Sequence, residues 1–270
     1  MFGKLGYNAF RATENNIDAL SNVVENISNI NSVGYKKSQT SFVETLNGEI
    51  SKQETKDFSQ GPLRRTGEVF DLALDGVGFF EVELLNGQRA YTRGGKFRLS
   101  SEGELVTDEG YKVIPEVEEA AKPVLEVNKD KKDELGLNIK VTTPKLTVSP
   151  DIVPEVLEDG TVNGINQSTG EKTKIGKINI IAFNNPGGLE SIGKSYFLPT
   201  NASGMPIDLD AGSNGPSKIK QGYLELGNVD MANEFMKMSQ MRNLLSAQFK
   251  LLKAIDKLYE NVHYTISRSA

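Results

Sequence analysis

Residues 230–270 read DMANEFMKMSQMRNLLSAQFKLLKAIDKLYENVHYTISRSA, and this stretch decides the fold class. Asp230 is placed to cap a helix start, and neither glycine nor proline interrupts the run from there to Ala270. One apolar seam runs through Phe235, Met238, Leu245, Phe249, Leu252 and Tyr259, interrupted by Arg242 and Asp256. A second runs through Met241, Leu244, Leu251, Ile255, Leu258 and Val262. Adjacent seams at 3-4 spacing make a helix apolar over more than one face, so it needs cover from more than one side. Met231, Met236, Met238 and Met241 cluster in its first turns, and adaptable packing explains them better than a soft-metal site.

The opposite end carries a matching pattern. From Phe2 to Ile30, Phe10, Ile17, Leu20, Val24 and Ile27 follow the 3-4 alternation, with Thr13 filling one place. Asn31, Ser32, Val33 and Gly34 then break it, Gly34 offering a left-handed stop. At ~1.5 Å per residue the C-terminal helix runs about 50 Å and the N-terminal one about 40 Å. Both exceed the radius of a compact domain of this size, so the expectation is a paired, coiled-coil-like stalk. The pair has too little of its own protein to cover it, which predicts ends loose in the lone chain and ordered by neighbours.

Between the helices the texture changes. Over residues 71–115 short apolar runs alternate with turn pairs at Asp75-Gly76, Asn86-Gly87, Gly94-Gly95, Glu102-Gly103 and Glu109-Gly110. Asn86-Gly87, flanked by residues 79–85 and 89–93, is the strongest hairpin signal. The fold class expected is therefore α+β: an antiparallel β-rich domain, a small barrel or sandwich, with long helices at both ends. The organisation expected is an N-terminal assembly helix over 1–35, a β-rich domain over 36–227 and a C-terminal assembly helix over 228–270. The run Lys129–Glu134 marks a polar insertion at about 116–140, read as a solvated loop. Strand signals return at residues 145–149 and 177–183, and residues 201–217 read as loop.

Chemistry is hard to find. The net charge of −5 argues against a nucleic-acid binder. Without cysteine there is no disulfide framework, no thiolate zinc site and no Cys nucleophile. No run approaches the ~18 apolar residues of a membrane helix. The opening residues lack the apolar core of ~7–15 residues that a cleavable signal peptide needs. The single histidine, His263, lies near the end of a long helix, far from any strained Ser turn, and reads as a surface or interface residue. Asp208-Leu209-Asp210-Ala211-Gly212 fails as a calcium loop, Ile219 standing where the twelfth-position Glu belongs. Gly76-Val77-Gly78 lacks the third glycine of a dinucleotide fingerprint. Glu118-Glu119 sits in the polar insertion, and the basic pairs Lys36-Lys37 and Arg64-Arg65 are too small for a phosphate-tracking groove. The expectation is no enzyme, no cofactor, no metal, no nucleic acid and no small-molecule substrate.

Three sequence blocks carry a resemblance. Leu20-Ser21-Asn22 with residues 27–36, ISNINSVGYK, resembles the N-terminal signature of flagellar axial proteins, SNNIANVNTTGYK. Val23-Val24-Glu25 departs from it. Residues 60–80, from Gln60-Gly61-Pro62-Leu63 to DLALDGVGFF, are similar to the rod and hook motif G.L..TG..LDLAIDGDGFF. Tyr91-Thr92-Arg93-Gly94-Gly95-Lys96-Phe97 continues it, with Gly94 where Asp is common. Gln221-Gly222-Tyr223-Leu224-Glu225 and Asn228-Val229-Asp230 are similar to QG.LE.SNVD, with Gly227 where Ser is common.

The resemblance to the flagellar basal-body rod family implies a structural subunit stacked helically into a hollow axial tube that transmits torque and conducts exported subunits. Its terminal helices would line the inner wall. It implies export through the flagellar type III apparatus without a cleavable signal, and residence in the periplasmic part of the basal body. The partners implied are the protein itself and other rod and hook axial proteins. A proximal rod position is slightly preferred over a distal one, because the segment after Phe42 lacks a longer extension. A hook or distal-rod subunit is the alternative, as is a secreted coiled-coil scaffold with no flagellar role. The assembly interface expected comprises Phe10, Ile17, Leu20, Val24 and Ile27, then Asn29, Asn31, Gly34 and Tyr35 at the helix exit. From the C-terminal helix it takes Phe235, Met238, Leu245 and Phe249, together with Leu252, Ile255 and Leu258.

Overall fold

The computed structural model describes residues 2–44, 50–116, 152–166, 170–212 and 215–269. Helices α1 (Phe2–Ser28) and α2 (Met231–Ser269) stand at the two ends of the sequence. Between them come β1 (Ser38–Glu44), β2 (Ile50–Lys56), β3 (Leu63–Arg65), β4 (Leu72–Gly76), β5 (Phe79–Glu83) and β6 (Arg89–Thr92). Next come β7 (Phe97–Leu99), β8 (Leu105–Thr107), β9 (Lys112–Val113), β10 (Ile152–Val156), β11 (Thr161–Asn166) and β12 (Lys172–Lys177). The last are β13 (Ile180–Ala182), β14 (Glu190–Gly193), β15 (Tyr196–Leu198), β16 (Ile207–Asp208), β17 (Ser217–Gln221) and β18 (Tyr223–Glu225). The architecture is thus mostly antiparallel β with one helix at each end.

Contacts divide the chain into two compact units: residues 1–32, 36–59 and 227–270, and residues 33–35 with 60–226. In the first, α1 packs against α2, and the β1–β2 hairpin packs on α1. Residues 36–59, read from sequence as part of the β-rich domain, therefore fold with the helices. The cap at Asp230 forms as expected, its carboxylate accepting from the N–H groups of Ala232 at 3.0 Å and Asn233 at 3.2 Å. α1 ends at Ser28, two residues short of Ile30, and Gly34 takes the left-handed conformation expected of it, with φ 67°. Asn29 N–H and its amide both return to the Glu25 carbonyl, at 3.1 and 2.9 Å, closing the last turn.

The second unit grows around the hairpin of β5 and β6, where Asn86-Gly87 supplies the turn and Gly87 adopts φ 80°. Its register sets Phe80 opposite Thr92 and Val82 opposite Ala90. β9 and β13 share the other edge of β5, β15 and β14 extend the sheet beyond β6, and β8 and β7 extend it beyond β9. Ribbons β17–β4 and β18–β3 and the three-stranded β10–β11–β12 complete the unit. Leu72, Leu74, Phe80, Val82, Ile178 and Ile219 are buried at its centre, and Phe80 meets Phe97 edge-on at 5.3 Å. The stretch 201–217, expected to be loop throughout, contributes β16, because Ile207 and Asp208 pair with Ala182 and Ile181. The strand signal at 145–149 and all of the insertion beyond Glu116 lie outside the described residues.

Candidate assembly surface

α1 and α2 pair antiparallel. Asn26, near the end of α1, meets Glu234, near the start of α2, while Gly6 faces Ile255 about six turns away. On α1 the side chains turned inward are small or polar: Thr13, Ala19, Asn22, Val23 and Asn26 are all buried. Asn26 is the hub of this unit. Its amide donates to the Ser38 carbonyl at 2.9 Å and to Glu234 Oε2 at 3.4 Å, and its Oδ1 accepts from Ser38 N–H at 2.9 Å. Asn22 donates to Thr40 Oγ1 beside it, and Lys237 pairs with Glu234 at 2.9 Å. A buried carboxylate tolerates its site only with such partners.

On α2 the inner stripe is Glu234, Met238, Met241, Leu245, Gln248, Leu252 and Ile255, all buried or half-buried. Met238, Leu245 and Leu252 come from the first seam read in the sequence, and Met241 and Ile255 from the second. Other members of both seams are left outside, on opposite flanks of that stripe. Phe235 and Phe249, 46% and 49% exposed, lie on one flank with Arg242. Leu244, Leu251 and Leu258, about half exposed, lie on the other, and exposed Ala247 and Ala254 fall between them. In a self-sufficient helix pair those flanking positions carry charges. Here one flank carries the Leu–Ala run, itself a further 3-4 seam, and the other sets Phe235 and Phe249 beside Arg242.

α1 repeats the theme on a smaller scale. Phe10, Ile17 and Val24 recur at seven-residue spacing and are exposed, with Tyr7 nearby and Leu20 and Ile27 half-buried alongside. Among the expected interface residues, then, Phe10, Ile17, Val24, Phe235, Phe249, Leu258 and Asn31 face outward in the single chain. Leu20, Ile27, Asn29, Met238 and Leu252 are half-buried, whereas Gly34, Tyr35, Leu245 and Ile255 are buried by their own chain. Leu244, Leu251, Ala247 and Ala254 also face outward, although the expected interface did not include them. The Leu-Ala alternation at 3-4 spacing was the signal for them.

The residues that carried the resemblance in the middle of the chain are structural joints. Arg93, 3% exposed, pairs through Nε with the fully buried Glu225 at 3.1 Å and donates to the Gly78 and Gly76 carbonyls at 2.8 and 2.7 Å. Glu225 Oε1 accepts from Gly61 N–H at 2.8 Å, and its carbonyl accepts from Gly34 N–H at 2.8 Å. Burial pulls the Arg93 guanidinium below its ordinary pKa, and the Glu225 charge pulls it back up. Gln60 bridges the Leu74 carbonyl and Gly76 N–H. Gly34 has φ 67°, and a Cβ on it would sit 2.2 Å from Gly94 N, so no other residue fits there. These contacts hold strands in register, and they supply no bond-making chemistry.

Among the described residues there is no group of three or more metal-ligating side chains, and no helix is long and apolar enough to cross a membrane. His263 lies on α2. Residues 73–163 match the family described as flagellar hook protein FlgE/F/G D1 domain. The chain is 30% identical to the flagellar basal-body rod protein FlgG of Buchnera aphidicola (subsp. Schizaphis graminum), over 93% of its length and 94% of the relative's. FlgG of Bacillus subtilis is 29% identical over 95% and 96%, and FlgG of Borreliella burgdorferi 28% identical over 92% and 91%. The Helicobacter pylori flagellar hook protein FlgE2 overlaps in structure with a TM-score of 0.24 at 18% identity. That overlap covers 57% of this chain and 43% of the hook protein.

Proposed function

The chain belongs to the flagellar basal-body rod protein family, and on that premise we propose that it polymerises through α1 and α2 into a hollow axial tube that transmits torque and conducts exported subunits. It is a structural axial subunit of the basal body, in a family that is not an enzyme class. Rod and hook proteins assemble with other axial proteins of the flagellum. Export through the flagellar type III apparatus, residence in the periplasmic portion, and coiled-coil packing of the helices in the tube belong to the same proposal.

The observation that carries it is the exposure of apolar residues at heptad spacing on both helices, Phe10, Ile17 and Val24 on one and Leu244, Leu251 and Leu258 on the other. Such faces are covered by further helices in a stable assembly. The FlgG relatives make FlgG's place in the rod the position to test first, ahead of the proximal one. The test removes residues 1–30 or 230–270 and asks whether the protein still enters purified basal bodies. Loss of incorporation is expected for each truncation. Normal incorporation would defeat the proposal.

A further inference from the structure

Two exposed faces within the helical unit complement each other in shape and sign. On α1 the apolar line Phe10–Ile17–Val24 is edged on its outer side by Glu14, Asp18 and Glu25, all exposed, and no Lys or Arg falls between residues 12 and 28. On α2 a shallow groove is lined by Arg242, Leu245, Ser246, Phe249, Lys250 and Lys253. Its apolar floor of Leu245 and Phe249 is edged by three cations, and no Asp or Glu falls between residues 235 and 255. Each helix thus offers an apolar line with charge along one border, acidic on α1 and basic on α2.

We propose that the groove around Phe249 receives α1 of a second copy of this chain, Glu14, Asp18 and Glu25 of one subunit lying along Arg242, Lys250 and Lys253 of the next. The proposal rests on assembly through the terminal helices and adds which face meets which. The occupant is a second copy because the acidic-edged apolar line the groove calls for is present, exposed, on the same chain. The contact is heterologous: each subunit gives its α1 face to one neighbour and its α2 groove to another, so it propagates rather than closing a two-fold dimer. Charged borders fix register and orientation, while the apolar lines supply the burial.

The test uses two full-length variants. In one, Asp18→Lys and Glu25→Lys make the α1 face basic. In the other, Lys250→Glu and Lys253→Glu make the groove acidic. Polymer formation by concentrated protein is followed by sedimentation, with circular dichroism checking that each variant keeps the parent's fold. Each variant alone faces like charges across the contact, and its critical concentration rises by about tenfold or more. An equimolar mixture restores opposite charges at every contact between unlike copies, and assembles within about threefold of the parent.

Rescue by mixing requires the charges to meet between molecules; charges meeting only within one chain would give rescue when all four changes share a chain but none on mixing. Variants that polymerise like the parent, or a mixture of folded variants that does not recover, would overturn this pairing while leaving helix-driven assembly standing. A parent chain that forms no polymer, and is not incorporated into basal bodies, would remove the underlying reading as well.

Discussion

Arg93 and Glu225 form a pair with 3% and 0% of their side chains exposed, joined to the backbone at Gly76, Gly78 and Gly61. A buried ion pair adds little net stability over an apolar replacement, but removing one partner strands the other charge. Arg93→Ala should therefore cost about 3–5 kcal/mol in urea unfolding of the β-rich unit. Arg93→Met combined with Glu225→Gln should cost clearly less. Equal losses would mean the pair is not what joins these turns. Tyr91 and Tyr196 are held above the ordinary tyrosine pKa, both first by burial. The Glu81 charge adds to it at Tyr91, and the hydrogen bond to Glu109 at Tyr196. In the unfolded chain these hydroxyls ionise near pH ~10, while in the folded chain they stay neutral. The unfolded state then binds fewer protons, so stability holds below about pH 10 and falls above it, by up to ~1.4 kcal/mol per pH unit per group. Tyr196→Phe should flatten that fall, as chemical denaturation at pH 9 to 11 would show.

At the scale of elements the helices divide their residues between two tasks. Leu245 and Ile255 are buried between α1 and α2, and Leu251 is 51% exposed. Leu245→Ala should weaken the helix pair by about 2–4 kcal/mol and lower the helicity of the lone chain. Leu251→Asp should leave that helicity unchanged and still abolish incorporation into the basal body. Loss of helicity with Leu251→Asp would place this residue inside the subunit's own packing.

Both helices, the Asp230 cap and the Asn86-Gly87 hairpin were legible in the sequence, because local spacing and turn chemistry determine them. Which face of each helix is buried was not. α1 buries Asn22 and Asn26 and leaves Phe10 and Ile17 outside. A periodic pattern reports that a face needs cover, and is silent on which chain supplies it. The Arg93–Glu225 pair was equally invisible, since nothing local couples residues from two distant motifs. Gly227, noted as a departure from the family pattern, has a local cause: a Cβ there would come within 2.8 Å of the Asn29 carbonyl.

Taken whole, the two units are built to different rules. The β-rich unit has its own apolar core, with Leu74, Phe80 and Val82 fully buried, while Leu85 and Met205 stand exposed singly at its surface, and Arg93 and Glu225 form an internal joint. The helical unit keeps Phe249, Leu244, Leu251 and Leu258 about half exposed, and its inner face joins apolar packing at Leu245 and Ile255 to polar contacts at Asn22, Asn26 and Glu234. On the proposed assembly neighbours complete its stability, so free and assembled protein should differ in the helices and nowhere else. Hydrogen exchange of the amides in α1, α2 and the β5–β6 hairpin, measured on the lone chain and on the assembled rod, tests this most directly. In the lone chain α1 and α2 should exchange faster than the hairpin, and on assembly they should gain at least about a hundredfold protection, with the hairpin unchanged. Helices already as protected as the hairpin in the lone chain, with no gain in the rod, would contradict completion by neighbours.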